Sequence, residues 1–172
     1  MHGTLGLLEE IRDKYHPDID NIEKVEIETG PVAFTAAGNK SPKIGREIKF
    51  SLWFLAALAL IEENVGLDKF VDEKLHDPRV VNLRHKVNAH LVDSLGFGAR
   101  VSVIMKDGTE YKDYRRKQKG HPENPLSVEE LENKFRNAAK MSIPENNIDL
   151  LIEKIKSIEK VNDITEIMDL LH

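Results

Sequence analysis

The ten residues LWFLAALALI, 52–61, carry no polar side chain and run up against two glutamates, Glu62 and Glu63. At 1.5 Å per residue they make about 15 Å of helix, roughly half a bilayer core, so the stretch predicts a buried helix and not a membrane span. A helix that is apolar nearly all round must be covered on several sides. It therefore predicts the central helix of the fold, and the flanking sequence has to supply its cover.

Upstream, Leu8, Ile11 and Tyr15 recur at spacings of three and four, which predicts a short helix over 4–15. His16-Pro17-Asp18 stops it, because a residue before proline is pushed away from helical angles. Val25 and Ile27 alternate with Lys24, Glu26 and Glu28, a half-buried strand. Residues 35–47, TAAGNKSPKIGRE, read as an exposed loop. Downstream, Asp77-Pro78 places a good N-cap before a proline suited to the first helical position, opening a helix that carries Val80, Val81, Leu83 and Val87. Val101, Val103 and Met105 alternate up to Asp107-Gly108, which predicts a hairpin of 99–106 with 109–116 through a type I′ turn. Its return strand, TEYKDYRR, is polar and fits a sheet edge or a wet face. Ser127 and Glu130 form a capping box, with Leu126 and Leu131 as its staple, and Ser142 with Glu145 repeats the box. The helix after the second box should bury Ile148, Leu151, Ile152 and Ile155; Ile164, Ile167, Met168 and Leu171 give a last helix. Helices that flank a strand group without strict alternation make the fold class α+β, a small mostly antiparallel sheet with flanking helices.

With 172 residues, no internal repeat and no low-complexity linker, the chain reads as a single domain over 1–172. Absence of cysteine excludes disulfides, thiolate metal sites and a cysteine nucleophile. The balance of 25 basic against 30 acidic residues, net −5, is wrong for a chain built mainly to hold nucleic acid. The first residues turn acidic before any signal-like apolar region develops, and the expected location is cytoplasmic.

The familiar catalytic and nucleotide-binding motifs are missing: no P-loop, dinucleotide-binding glycines, HExxH or G-x-S-x-G. His85 and His90 are five apart, off a common helical face, and make a poor metal pair. Tyr114 to Lys119, with Arg115, Arg116 and Lys117 between, is a basic run able to grip an anion or to serve as a solvated hairpin end. Lys40, Lys43, Arg46 and Lys49 form a looser cluster with the same two readings. Composition alone gives His2 no role.

Several segments, in their order, resemble the carboxy-terminal domain of the MmgE/PrpD family, which includes 2-methylcitrate dehydratase, cis-aconitate decarboxylase and iminodisuccinate epimerase. They are HGTLGLLEEI, IEKVEIETG, EIKFSLWFLAALALIEENVGLDKFVDEKLHDPRVVNLRHKV, VSVIMKDGTEY and KGHPENPLSVEELENKFRNAA, which together cover nearly the whole chain. The resemblance places His2 at the family's active-site histidine. The lysine and cysteine that precede that histidine in the family would lie before Met1, and Gly6 stands where an aspartate is usual. KFSLWF, 49–54, is similar to the family's Lys/Gln-Phe-Ser-x-x-Tyr, with Phe54 in place of the substrate-facing tyrosine. Lys49 and Phe54 thereby become candidate substrate-binding residues, although Phe54 serves equally as one more apolar residue of the central helix.

What the resemblance implies is a lid without its base: a substrate-capping domain of a lyase of the 2-methylcitrate dehydratase type, the all-helical amino-terminal domain being absent. Its substrates would be small di- or tricarboxylates, handled without metal or organic cofactor, with His2 as acid–base. Activity would need a separate helical MmgE/PrpD-type chain, and the isolated chain is expected to be inactive. No nucleic acid or membrane partner is expected. The alternative is a folded non-catalytic remnant or homo-oligomeric binding domain, a reading that Gly6, Phe54 and the lost upstream motif favour.

Overall fold

In a computed structural model, which describes residues 2–172, the apolar stretch is a helix, and nine of its ten residues are buried. The chain divides into two compact units after Pro125. In the first, the elements are α1 (His2–Tyr15), β1 (Ile22–Thr29), α2 (Pro31–Ala36), α3 (Leu52–Ile61), α4 (Asp72–His76), α5 (Pro78–Arg84), β2 (Val87–Leu91), β3 (Ala99–Met105) and β4 (Glu110–Arg115). The strands form one sheet in the order β2-β1-β3-β4, parallel between β1 and β2 and antiparallel elsewhere. The fold is α+β, as the patterning predicts, and the polar return strand β4 is an edge.

Strand alternation makes the sheet two-faced. Val25, Ile27, Val101 and Val103 point into the core with Leu7, Leu8 and Ile11 of α1 and Leu52 and Leu58 of α3. Glu26, Glu28, Asn88, His90, Arg100 and Lys112 lie on the other face, where opposite charges meet, Glu26 with Lys24, Glu28 with Arg100 and Glu110 with Lys112, and where His90 hydrogen-bonds Glu26. Burial pushes the Glu26 carboxyl upward, but hydrogen bonds from His90, Asn88 and Lys24 outweigh it and hold the group below its usual range.

Four local expectations need correction. Val87 does not continue the helix of Val80 and Leu83; that helix stops at Arg84, and Val87 opens β2 opposite Val25. The spacing of Val80, Leu83 and Val87 is helical, but the backbone edge of β1 offers pairing, and Val25 N–H donates to the Lys86 carbonyl at 2.9 Å. The 35–47 stretch is more than a loop: α2 reaches into it, Ala37 is buried, and the Ala37 carbonyl accepts from Leu52 N–H at 2.9 Å. The hairpin turn has a positive φ at Gly108 (87°) and at no other turn residue. With Gly108 N–H on the Met105 carbonyl, this is a type I turn closed by a left-handed glycine, not type I′. Gly30 allows another close approach, since a Cβ there would lie 1.7 Å from the Gly96 carbonyl oxygen.

The fourth correction lies in the second unit, which contains α6 (Val128–Ala139), α7 (Glu145–Lys156) and α8 (Thr165–Met168). The Ser127–Glu130 capping box forms in full. The second box does not: α7 starts after Pro144, without a side-chain cap. Ile148, Leu151 and Ile152 are buried as expected, but Ile155 is half exposed. The last helix is a single turn followed by a 3-10 turn, and Ile167 is its one buried side chain.

Candidate functional site

Arg12 fixes the direction of α1 against α3. Its guanidinium donates to the carbonyls of Ala59, Glu62 and Glu63, which closes the C-terminal end of α3. The two helices pack side by side, and Arg12 is in the last turn of α1, so they run in the same direction. Their N-terminal turns therefore share the opposite end of this layer. His2 stands at the first of them and Ser51, which accepts from Phe54 N–H, at the second.

Beneath α1 the same end meets the basic run. A Cβ at Gly3 would lie 3.6 Å from both the Ala99 and the Gln118 Cβ, and one at Gly6 would lie 3.2 Å from Arg115 Nη1. The structure thus brings His2's helix start beside the Arg115–Lys119 segment. Arg115 itself is paired with Glu10, and Lys117 with Glu123.

At the start of α3, three aromatic rings each carry a cation. Lys49 Nζ stands 5.0 Å from the Phe50 ring centre, Lys40 Nζ 4.9 Å from Trp53, and the Arg84 guanidinium carbon 4.5 Å from Phe54. Lys49 is exposed, whereas Phe54 is buried beneath Arg84. Phe54 has no hydroxyl to donate; the donors over its ring belong to the arginine.

Sequence reasoning misses three residues here. Among the described residues, three buried side-chain polar atoms lack a hydrogen-bond partner: Thr4 Oγ1, Arg84 Nε and Gln118 Oε1. Thr4 is in the opening turns of α1, Gln118 lies against Gly3, and Arg84 caps the Phe54 ring. Thr4 and Gln118 thus lie at the start of α1, and Arg84 at the contact of α5 with α3. Buried polar groups in folded proteins are nearly always satisfied, and exceptions concentrate where a ligand or water completes the set. No local motif could have flagged them, because each is defined by a neighbour distant in sequence.

Two grooves lie elsewhere. One of about 650 Å³ runs along Glu10, Asp13, Lys14, Tyr15, Lys112 and Asp113 at the far end of α1. In the second unit an apolar groove of about 440 Å³ is lined by Val128, Leu131, Phe135, Ala138, Ile152 and Ile155. Neither contains His2, Lys49 or Phe54. Among the described residues no three His, Asp or Glu side chains converge as metal ligands, and no helix is long and apolar enough to cross a membrane. His85 and His90 fall on different elements, and His90 bonds Glu26 at 3.0 Å on the open sheet face.

Comparison with known proteins agrees with this architecture. The sequence profile of the MmgE/PrpD C-terminal domain matches residues 1–158. The chain is 26% identical over 159 residues to the cis-aconitate decarboxylase of Mus musculus, covering 88% of this chain and 32% of that protein. It is 29% identical over 135 residues to that of Homo sapiens, covering 76% and 28%. To that of Aspergillus terreus it is 22% identical over 188 residues, covering 100% and 38%. The chain thus spans about a third of the length of these curated relatives. With the profile matched over so much of its length, the chain belongs to the MmgE/PrpD C-terminal domain family.

Proposed function

We propose that this chain is the substrate-capping part of an MmgE/PrpD-type lyase acting on small di- or tricarboxylates, completed by a helical partner. The observation that carries the reading is the pair of helix starts of α1 and α3: His2 with the orphaned Thr4 and Gln118 atoms at the first, and the cation-bearing rings with the orphaned Arg84 Nε at the second. His2 is the acid–base group. Elimination, epimerisation and decarboxylation of such substrates each need a proton moved at a carbon near a carboxylate, and imidazole does this near neutral pH. Lys49 holds a substrate carboxylate, because a fixed cation stabilises the negative charge that develops as the bond breaks. Phe54, buried beneath Arg84, contributes to substrate binding as the ring on which that guanidinium rests. A base must stand within about 2.6–3.2 Å of the proton it moves, so catalysis waits until the second wall of the cleft is supplied.

Tagged chain recovered from its host, with mass spectrometry of what accompanies it, tests the partner. A stoichiometric helical MmgE/PrpD-type chain is expected, and the reconstituted pair should turn over cis-aconitate or 2-methylcitrate while the isolated chain does not. His2→Ala should remove most of that turnover. Recovery of the chain alone as a stable homo-oligomer, inert toward these substrates, would overturn the reading in favour of a non-catalytic remnant.

A further inference from the structure

We propose that Arg84 is the carboxylate anchor of this end of the molecule, with Lys40 and Lys49 as flanking cations. The inference rests on the polycarboxylate reading above and adds a substrate-positioning residue to it. Its starting point is charge accounting. Among the described residues, the side-chain cations of Lys40, Lys49 and Arg84 have no carboxylate within 4.0 Å, whereas those of Arg12, Lys69, Lys74, Arg100, Arg115 and Arg136 all do. Lys40, Lys49 and Arg84, each set on a ring at the start of α3, thus make a positive patch that no neighbouring carboxylate neutralises.

The mode of support matters as much as the charge. Lys40, Lys49 and Arg84 are held by ring faces, and a ring attracts a cation without neutralising it. Stacking on a ring face engages the plane of a guanidinium and leaves its N–H donors to other partners. Arg84 Nη1 donates to the Lys40 carbonyl at 3.2 Å, which orients the planar group, while its Nε–H has no acceptor. A stacked guanidinium fixed on one side and unsatisfied on another is prepared for a planar, two-oxygen acceptor, the geometry of a carboxylate. The two lysines supply point charges for the further carboxylates of a di- or tricarboxylate. Bringing Arg84 over Phe54 also joins the end of α5 to the first turn of α3, so the anchor sits on packed helices and not on a loop.

The test needs no partner and no turnover. Citrate is titrated into the isolated chain, binding is read by calorimetry, and its location by the emission of Trp53, the chain's sole tryptophan and the ring under Lys40. Saturable heat with a parallel Trp53 change is expected. Arg84→Gln should weaken binding at least tenfold, and Arg84→Lys nearly as much because a point charge cannot make the fork. Arg79→Gln, an exposed arginine paired with Asp77, should bind as wild type. Circular dichroism and thermal midpoint establish that each variant is folded; Arg84→Lys is the check should the glutamine variant unfold. Absence of both heat and emission change, or wild-type binding by a folded Arg84 variant, would overturn the proposal. Equal binding of inorganic phosphate at matched ionic strength would overturn the assignment to carboxylates. Failure of the reconstituted enzyme with citrate binding intact would instead count against the lyase reading alone.

Discussion

The two ends of the α1–α3 pair are built on opposite principles. At the C-terminal end the charged side chains are tied to helix carbonyls and to one another. Arg12 closes three carbonyls, and Glu62 takes both Lys69 and Lys74, with Lys74 also near Asp77. At the N-terminal end the cations on the α3 rings stand without carboxylates, although Arg115 and Lys117 beside α1 are paired, and buried polar atoms of Thr4, Gln118 and Arg84 have no partner. The same helices thus end once in a closed network that serves stability and once in an unfinished one that serves a ligand. Leaving buried donors and like charges unpaired costs stability, and a fold retains such costs where another molecule offsets them.

Substitutions at the two ends should therefore divide between stability and binding. The largest stability effect should come from Arg12→Met, which leaves the α3 carbonyls without their charged donor; a loss of about 2–4 kcal/mol in urea unfolding is expected. A loss under about 0.5 kcal/mol, no more than an ordinary surface substitution costs, would mean the closed end is not closed by Arg12.

Next is Glu62→Gln, at about 1–2 kcal/mol at neutral pH, since it weakens hydrogen bonds to two partly buried ammonium groups. Its pH dependence has a definite sign. The hydrogen bond from Lys74, with a further one from Lys69, holds the folded carboxyl below its ordinary value of 4.5 despite burial. The Glu62 contribution is then complete above that value and disappears as pH falls through the lower folded one. Wild type and variant should converge in stability toward acid pH; a gap that stays constant would remove the ion pairs from the account.

Arg84→Gln should cost less than about 1 kcal/mol of stability, the worth of one cation–π contact, while weakening citrate binding at least tenfold. A large loss of stability instead would make the open end as structural as the closed one. The smallest effect belongs to Glu9. Burial pushes its carboxyl above 4.5, against the opposing pull of Arg12 and the Val65 N–H. Ionisation therefore removes stability as pH rises through the raised value, so Glu9→Gln should raise neutral-pH stability by up to about 1 kcal/mol and have no such effect in acid. Destabilisation at neutral pH would show that the charge of Glu9, and not its acceptor oxygen, matters there.

What the sequence determined by itself is whatever rests on neighbours within about four residues. The apolar run specified α3, Asp77-Pro78 the start of α5, Ser127 with Glu130 the start of α6, and alternation in 101–105 a half-buried strand. Those features need only backbone geometry and side-chain spacing. Even here proximity misled twice, when Val87 continued a helical spacing and Ser142 preceded Glu145 at the interval of a cap. In the first case a distant strand, β1, competed for the backbone; in the second the helix began one residue after Pro144, beyond the reach of Ser142.

Tertiary structure alone decided the rest. Arg12 reaches carbonyls 47 to 51 residues away, Gln118 meets Gly3 across the sheet edge, and Arg84 settles on Phe54. In the sequence Arg84 is one more cation on an exposed-looking helix. Its meaning appears only when α5 packs on α3, because long side chains take whichever partner packing brings within reach, and packing is a property of the whole core.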